Sequence, residues 1–345
     1  MKRILVDLSK LSNLNCGLGQ VALNFGKTFS ETQTEFEKHF LVPKDYVEFF
    51  RSNEIIYHTK SDIKKLIKED YFDLWHSIHQ DPDILPPAST PVLMTIHDLN
   101  FLEEKNSSKS KKRLQKLQKK VDVSSYFAFI SEFSKKIAIE NLNFGEKSKE
   151  VIYNGVATSN AMSNPSNIYA DFFFTIGVLK PKKNFKVLIP MMRYFPEYKL
   201  IIAGDKKGSY FKELVKTAKI ENVLSQIIFT GTISEAEKNW YYKNCKAFLF
   251  PSLYEGFGLP VIEAMRFGIP VIISTNTSLP EIGSTHAYYF DNFDPEAMSF
   301  KIKESINKFN SSPQLKNDEI SYSLKFDWKI NAEKYIELYN RIMKG

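Results

Sequence analysis

The stretch "FPSLYEGFGLPVIEAMRFGIPVI" (residues 250–272) reads as the end of a strand, a turn, a helix and the start of another strand. The run "AFLFP" (247–251) is continuously apolar, as a strand covered on both faces requires. Gly256-Phe257-Gly258 makes the turn. Pro260 suits a first helical position, and Gly268 suits the stop before Pro270. The pattern predicts a helix over 260–267 with Glu263 in its first turn, then a strand over 270–274. Strand, helix and strand with short joints form the βαβ unit of a parallel sheet. Glu255 and Glu263 flank the turn, where backbone N–H groups favour anions. A first-turn glutamate can simply favour the helix dipole, by roughly 0.3–1 kcal/mol. A carboxylate is also acceptor-only, so two oxygens can take hydrogen bonds from two neighbouring hydroxyls. A vicinal diol, on a ribose or a hexose, fits that requirement. A diphosphate instead wants the N–H groups of Gly256, Phe257, Gly258 and Leu259.

The same alternation runs through the chain. Strands are predicted at 3–8, 74–76, 91–97, 126–130 and 150–153, then at 172–177, 199–204, 226–231, 247–251 and 270–274. The pattern restarts near Asp171 after the polar stretch "GVATSNAMSNPSN" (155–167), which reads as a linker. The expectation is an α/β protein of two Rossmann-like doubly wound domains. Ligands then lie beyond the carboxyl ends of the strands, and the cleft between domains is the favoured place.

Bulk composition agrees. A chain of 345 residues exceeds what one core usually supports. It is 43% hydrophobic and 25% charged, as ordinary soluble proteins are. A net charge of +7 permits a polyanionic partner without choosing one. Cys16 and Cys245 are too few for a disulfide framework or a zinc ribbon, and reduced thiols in the cytosol are expected. The apolar run in "MKRILVDLSKLSN" is too short for a signal peptide, and no stretch approaches the ~20 apolar residues of a membrane span.

Other loops carry weaker signals. Gly17-Leu18-Gly19 opens a helix after the first strand, which suits a phosphate or a tight turn. His76 and His79, in "DLWHSIHQD", lack a second ligand cluster and suit an acceptor-side loop better than a metal. "KNSSKSKKRLQKLQKK" (105–120) has eight Lys or Arg and no acidic residue. It is either a solvated helix face or a surface drawn to anionic lipid, at roughly 1 kcal/mol per basic residue. No nucleic-acid module accompanies it.

"EGFGLPVIEAM" (255–265) closely resembles the glutamate–seven–glutamate motif of retaining, GT-B-fold glycosyltransferases of family 4, bacterial polysaccharide mannosyltransferase-like members included. The resemblance extends over nearly the whole chain, through "TIHDLNFL" (95–102), "FAFISEFSKKIA" (127–138), "VIYNGV" (151–156), "IGVLKPKKNF" (176–185), "SLPEIGS" (278–284) and "FDWKINAEKYIELYNRI" (326–342). It implies a GT-B architecture of two domains facing across a cleft. Residues 1–155 would form the acceptor-side domain and 156–325 the nucleotide-sugar donor domain, with a helix in 326–345 packing back on the first.

The resemblance also assigns roles. Glu255 contacts hydroxyls of the transferred sugar, and Glu263 the ribose hydroxyls. The backbone of Gly256, Phe257, Gly258 and Leu259 meets sugar and diphosphate. Gly177, Lys180, Lys182 and Lys183 belong to a basic donor loop. Gly17 and Gly19 are expected at the donor too, from their place at a helix start rather than from the resemblance. Lys183 matches the lysine of the family pattern, but Val178 stands where the family often has arginine. His97 reaches the donor sugar, while Asp98 orients its loop. Catalytic roles therefore fall on Glu255, Lys183 and His97. No Asp-x-Asp stretch stands at a strand end (Asp81-Pro82-Asp83 lies in a proline-containing loop), and no metal or prosthetic group is expected. The implied reaction moves a sugar from a GDP- or UDP-sugar to a saccharide or lipid-linked acceptor hydroxyl, retaining configuration. The leaving phosphate takes the acceptor proton, so no protein general base is named. The expected setting is cell-surface polysaccharide or glycolipid synthesis, cytoplasmic or peripheral on the inner face of the membrane. A catalytically silent sugar-nucleotide-binding subunit, suggested by Val178, and a GT-B-fold epimerase are the alternatives.

Overall fold

The structure is a computed structural model that describes residues 1–14, 16–67, 70–103, 107–157, 161–167 and 169–344. The chain divides into two compact units, Met1–Gly155 with Phe326–Gly345, and Val156–Lys325. Residues 158–160 of the linker and 105–106 of the basic stretch lie outside the described residues.

Unit 1 contains β1 (Arg3–Asp7), α1 (Gly17–Glu31), β2 (Glu37–Leu41), β3 (Ile55–His58), α2 (Lys60–Leu66), β4 (Leu74–Ser77), β5 (Val92–Ile96), α3 (Ser107–Val123), β6 (Tyr126–Phe129), α4 (Glu132–Asn141) and β7 (Ser148–Val151). Its sheet is ordered β3-β2-β1-β4-β5-β6-β7, and each paired neighbour runs parallel. Strand order therefore reverses between β1 and β4. Every residue of β4 and β5 is buried, which is why "LWHS" and "VLMTI" do not alternate in polarity.

Helix α1 turns Val21, Ala22, Phe25 and Phe29 into the core at helical spacing. Helix α12 (Trp328–Lys344), which follows unit 2 in the chain, belongs to unit 1 and packs against α1. Tyr335 meets Phe25 edge-on at 5.4 Å, and Tyr339 meets Phe29 at 5.9 Å. Such aromatic pairs contribute about 0.5–1.5 kcal/mol beyond their buried area. Buried polar groups tie the same helix to the sheet. His76 Nδ1 lies 2.6 Å from the Tyr339 hydroxyl, and its Nε2 lies 2.9 Å from Thr95 Oγ1. At Gly155 an added Cβ would fall 2.4 Å from the Trp328 nitrogen, so only glycine lets these two passages of chain lie together.

Unit 2 contains β8 (Phe172–Ile176), α5 (Leu188–Met191), β9 (Lys199–Ala203), α6 (Ser209–Ile220), β10 (Ile227–Gly231), α7 (Glu235–Asn244), β11 (Ala247–Phe250), α8 (Leu259–Met265), β12 (Val271–Ser274), α9 (Leu279–Gly283), β13 (Tyr288–Phe290), α10 (Pro295–Asn310) and α11 (Pro313–Ser323). Its parallel sheet is ordered β10-β9-β8-β11-β12-β13, so its reversal lies between β8 and β11. Both units are doubly wound α/β sheets of Rossmann type, as expected from the alternation of runs.

Three strands were not expected, namely β2, β3 and β13. "EKHFL" looks too charged for a strand with four buried residues. Lys38 is nevertheless 2% exposed, because its Nζ donates to the carbonyls of Ser30 and Thr32 and to Glu54 at 2.8–3.2 Å. His39 Nδ1 meets His58 Nε2 of β3 at 2.8 Å.

Candidate functional site

The two loops that leave the reversal point of unit 2 follow β8 and β11. The first, Gly177 to Asn184, ends in a single turn over Pro181–Lys183. The second runs through Ser252, Glu255 and Gly258. These loops meet through side chains. Lys183 Nζ lies 2.5 Å from Glu255 Oε1, and the Ser252 hydroxyl lies 2.6 Å from the same oxygen. Lys183 also sits 4.9 Å above the ring of Phe250, a cation–π contact. Backbone bonds fix the loops together, since Leu253 N–H donates to the Lys182 carbonyl at 2.8 Å. The side chains of Lys183 and Glu255 are 13% and 12% exposed, so the ion pair is sheltered but still reaches solvent.

Glu255 is positioned from behind as well. Its N–H donates to Thr277 Oγ1 at 3.0 Å, and Ser278 Oγ contacts the carbonyls of Glu255 and Phe257 at 3.1 and 2.9 Å. Thr277 has φ 57°. A β-branched residue in the left-handed region carries strain that usually accompanies a functional constraint.

Gly258 caps α8 with φ 112°, so the helix begins at Leu259 and Pro260 is its second residue. Glu263 therefore stands one residue beyond the predicted first turn, on the fifth position. The left-handed glycine starts the helix earlier than proline placement alone suggests. Glu263 Oε1 accepts from Lys238 Nζ at 2.9 Å, and its Oε2 accepts from the Tyr242 hydroxyl at 2.9 Å. Burial pulls the Lys238 ammonium toward losing its proton, but Glu263 and Glu235 more than offset this and raise its pKa. Burial, together with Glu263, pushes the Tyr242 phenol well above its usual range.

The remaining expected residues fall as follows. Lys180 is exposed, Lys182 is half-buried and Val178 is 46% exposed, at the open end of β8. Gly177 has φ 156°, and an added Cβ would lie 3.3 Å from Lys183 Cε. Gly17 begins α1, and an added Cβ there would meet no described atom within 4 Å. A Cβ on Gly19 would fall 2.0 Å from the Asn13 carbonyl oxygen, so that glycine makes room for its own loop. Its N–H already donates to Cys16 Sγ at 3.4 Å.

In unit 1, His97 is 4% exposed and Nε2 lies 2.7 Å from the Ile78 carbonyl oxygen. A carbonyl only accepts, so Nε2 carries the proton and Nδ1 the lone pair. Burial lowers the pKa of this ring and keeps it neutral, against the pull of the Ile78 bond and Asp98. Asp98 Oδ1 accepts from the Asn100 N–H at 2.9 Å within its own loop. His76 is fully buried among hydroxyls, while His79 Nδ1 accepts from the Asp81 N–H. Among the described residues no group of three or more His, Cys, Asp or Glu is placed to hold a metal. Also among them, no helix is long and apolar enough to cross a membrane. Helix α3 buries Ser110, Leu117 and Val121 and leaves Lys109, Lys111, Lys112, Lys116 and Lys119 exposed.

Ser252, Thr277, Lys238 and Tyr242 were missed at the level of sequence. Ser252 sits three residues before Glu255 and is the one with a local signal. Nothing in the sequence ties α7 to Glu263.

Residues 161–322 match the model of the family described as glycosyl transferases group 1. The chain is 29% identical over 181 residues to the serotype-specific mannosyltransferase WbdA of Escherichia coli, covering 51% of this chain and 22% of that protein. It is 24% identical to the O-antigen biosynthesis glycosyltransferase WclY of Escherichia coli, over 96% of this chain and 97% of that one. Among solved structures, Anabaena Alr3699/HepE in complex with UDP and glucose superposes with a TM-score of 0.78 at 17% identity, covering 99% of this chain and 100% of that one. The fold is that of the GT-B glycosyltransferases.

Proposed function

We propose that this chain, whose second unit belongs to the glycosyl transferases group 1 family, is a retaining glycosyltransferase that moves a sugar from a nucleoside-diphosphate sugar to an acceptor hydroxyl. Its setting is bacterial surface-polysaccharide assembly, which the names of WbdA and WclY support. The observation that carries the reading is the Lys183–Glu255 pair at the strand-order reversal of unit 2, where doubly wound sheets bind ligands. In the free protein each partner neutralises the other. With donor bound, Glu255 accepts from sugar hydroxyls and Lys183 turns its charge to the diphosphate. A charge held in place before the bond breaks stabilises the departing phosphate without reorganisation. Backbone N–H groups between Gly256 and Leu259 add to it, and Lys180 or Lys182 stands in for the arginine that Val178 replaces. His97, neutral with its lone pair on Nδ1, accepts from a sugar hydroxyl. Retention follows from the leaving phosphate taking the acceptor proton on the same face, with no side-chain base and no resident metal in the scheme.

The test is sugar transfer by purified Glu255→Ala and Lys183→Ala proteins. Each is expected to lose transfer while remaining folded, and near-normal turnover in Glu255→Ala would sink the assignment. The base and sugar are read from thermal shifts with GDP-mannose, UDP-glucose and their diphosphates. A ligand at 100 times its Kd stabilises by about 2.7 kcal/mol. The five exposed lysines of α3 support contact with an anionic membrane that carries a lipid-linked acceptor. Binding to acidic liposomes should then fall steeply with salt, and salt-insensitive or absent binding removes that part.

A further inference from the structure

We propose that Lys238 and Tyr242 are positioning residues that shape the Glu263 carboxylate into a reader of a cis-vicinal diol, so that the donor must be a ribonucleotide. The inference rests on the reading of Glu263 as the ribose contact.

Lys238 and Tyr242 are four residues apart on α7 and therefore share a face. A Ser234–Glu237 capping box holds the start of that helix. Tyr242 is fully buried, with its ring 5.2 Å from Phe174, 5.3 Å from Phe248 and 5.7 Å from Phe267. Its hydroxyl cannot wander from Glu263. Lys238 is 12% exposed and is braced from the far side by Glu235 at 2.9 Å. Both groups keep their protons at neutral pH, so both can only donate to the carboxylate.

The two donors divide themselves between the oxygens. Lys238 takes a lone pair of Oε1, and Tyr242 takes one of Oε2. A carboxylate has about four lone-pair sites. One site per oxygen is left, and the side chain is 22% exposed to receive a ligand there. Two parallel acceptors match two adjacent hydroxyls on one face of a five-membered ring. Glu255 is arranged differently. Its side-chain partners among the described residues, Lys183 and Ser252, both sit on Oε1. That pattern leaves Oε2 whole and suits a hydroxyl approached singly.

The experiment is calorimetric titration with GDP and UDP and with their 2′-deoxy forms, on the wild type and on Glu263→Gln, Tyr242→Phe, Lys238→Met and Lys238→Arg. The wild type is expected to prefer the ribonucleotide at least tenfold. Glu263→Gln should bring that ratio close to one. Tyr242→Phe and Lys238→Met should each cut it threefold or more, with Lys238→Arg restoring part of it. A ratio compares ligands on the same folded protein, so lost stability alone does not move it. If Glu263→Gln flattens the ratio but the α7 variants keep it, the positioning role is overturned and the ribose reading stands. If the wild type does not discriminate, or Glu263→Gln still does, the ribose reading fails and takes this inference with it.

Discussion

Where the strand order reverses, unit 1 places Asp7, Ser9 and His79, while unit 2 places Lys183, Ser252 and Glu255. The topology is the same and the hydroxyl is common to both. In unit 1 the acid and the ring are each about 1% exposed, with His79 Nε2 3.6 Å from Asp7 Oδ2. Burial pushes the Asp7 pKa up and the His79 pKa well down, so both groups are driven toward their neutral forms. In unit 2 the partners keep more than a tenth of their surface in solvent and sit at 2.5 Å. An α/β reversal point is thus a place, and depth decides its chemistry. A shallow one can keep ions for a charged ligand, whereas a deep one keeps neutral donors and acceptors.

The largest test of that contrast is catalytic. Lys183→Ala should lower sugar transfer about 10²–10³-fold, the usual scale for losing one preorganised electrostatic contact. A loss below tenfold in a steady-state assay would make the shallow site no more important than the deep one. The next is structural. His76→Phe strands the hydroxyl of Tyr339 in the core of unit 1, at about 1–3 kcal/mol for an unsatisfied group, while Thr95 keeps its bond to the Tyr335 hydroxyl. Hydrogen exchange resolved by unit should show unit 1 weakened and unit 2 unchanged.

A third test uses pH. Five of the six histidines belong to unit 1. Burial, with His39 beside it, lowers His58 to about 4, and burial with His97 lowers His76 to about 3. Their neutral forms are native, so the unfolded chain binds more protons below its ordinary 6.5. The stability they contribute is present above pH 6.5 and is lost as pH falls toward 4, by at most about 1.4 kcal/mol per unit and group. In unit 2, Glu319 is 1% exposed with neither carboxylate oxygen partnered among the described residues, and burial raises its pKa well above 4.5. There the protonated form is native, so its contribution is present below pH 4.5 and is lost as pH rises. Acid should weaken unit 1 first, and the reverse order in pH-resolved exchange would break the comparison. The last test is Glu319→Gln, which should remove the rising-pH loss of unit 2.

The two-sheet α/β class was legible because many of the strands carry continuous apolar runs, such as "VLMTI" and "AFLF". Strands β2, β3 and β13 were not. Lys38 and His39 disguise β2, since partners distant in sequence satisfy them. Edge strand β3 is only four residues long, and Ile56 within it is 44% exposed, so its apolar run is short and half-covered. Glu255 could be singled out because it lies in a loop that directly follows a strand, Glu263 because it stands early in the helix after that loop, and Lys183 because it matches the family pattern. That Lys183 reaches Glu255 was not written anywhere local, since 72 residues separate them. The hold of α7 on Glu263 depends on helix packing and was equally invisible.

The return of α12 to unit 1 has a consequence for how the protein is made. Unit 2 is contiguous and has all of its residues once position 325 has left the ribosome. The aromatic core of unit 1 instead waits for Tyr335 and Tyr339. During synthesis, the part that begins first finishes last. For that interval α1 presents Phe25 and Phe29 without their lid, and a chaperone has reason to attend to this stretch of the nascent chain.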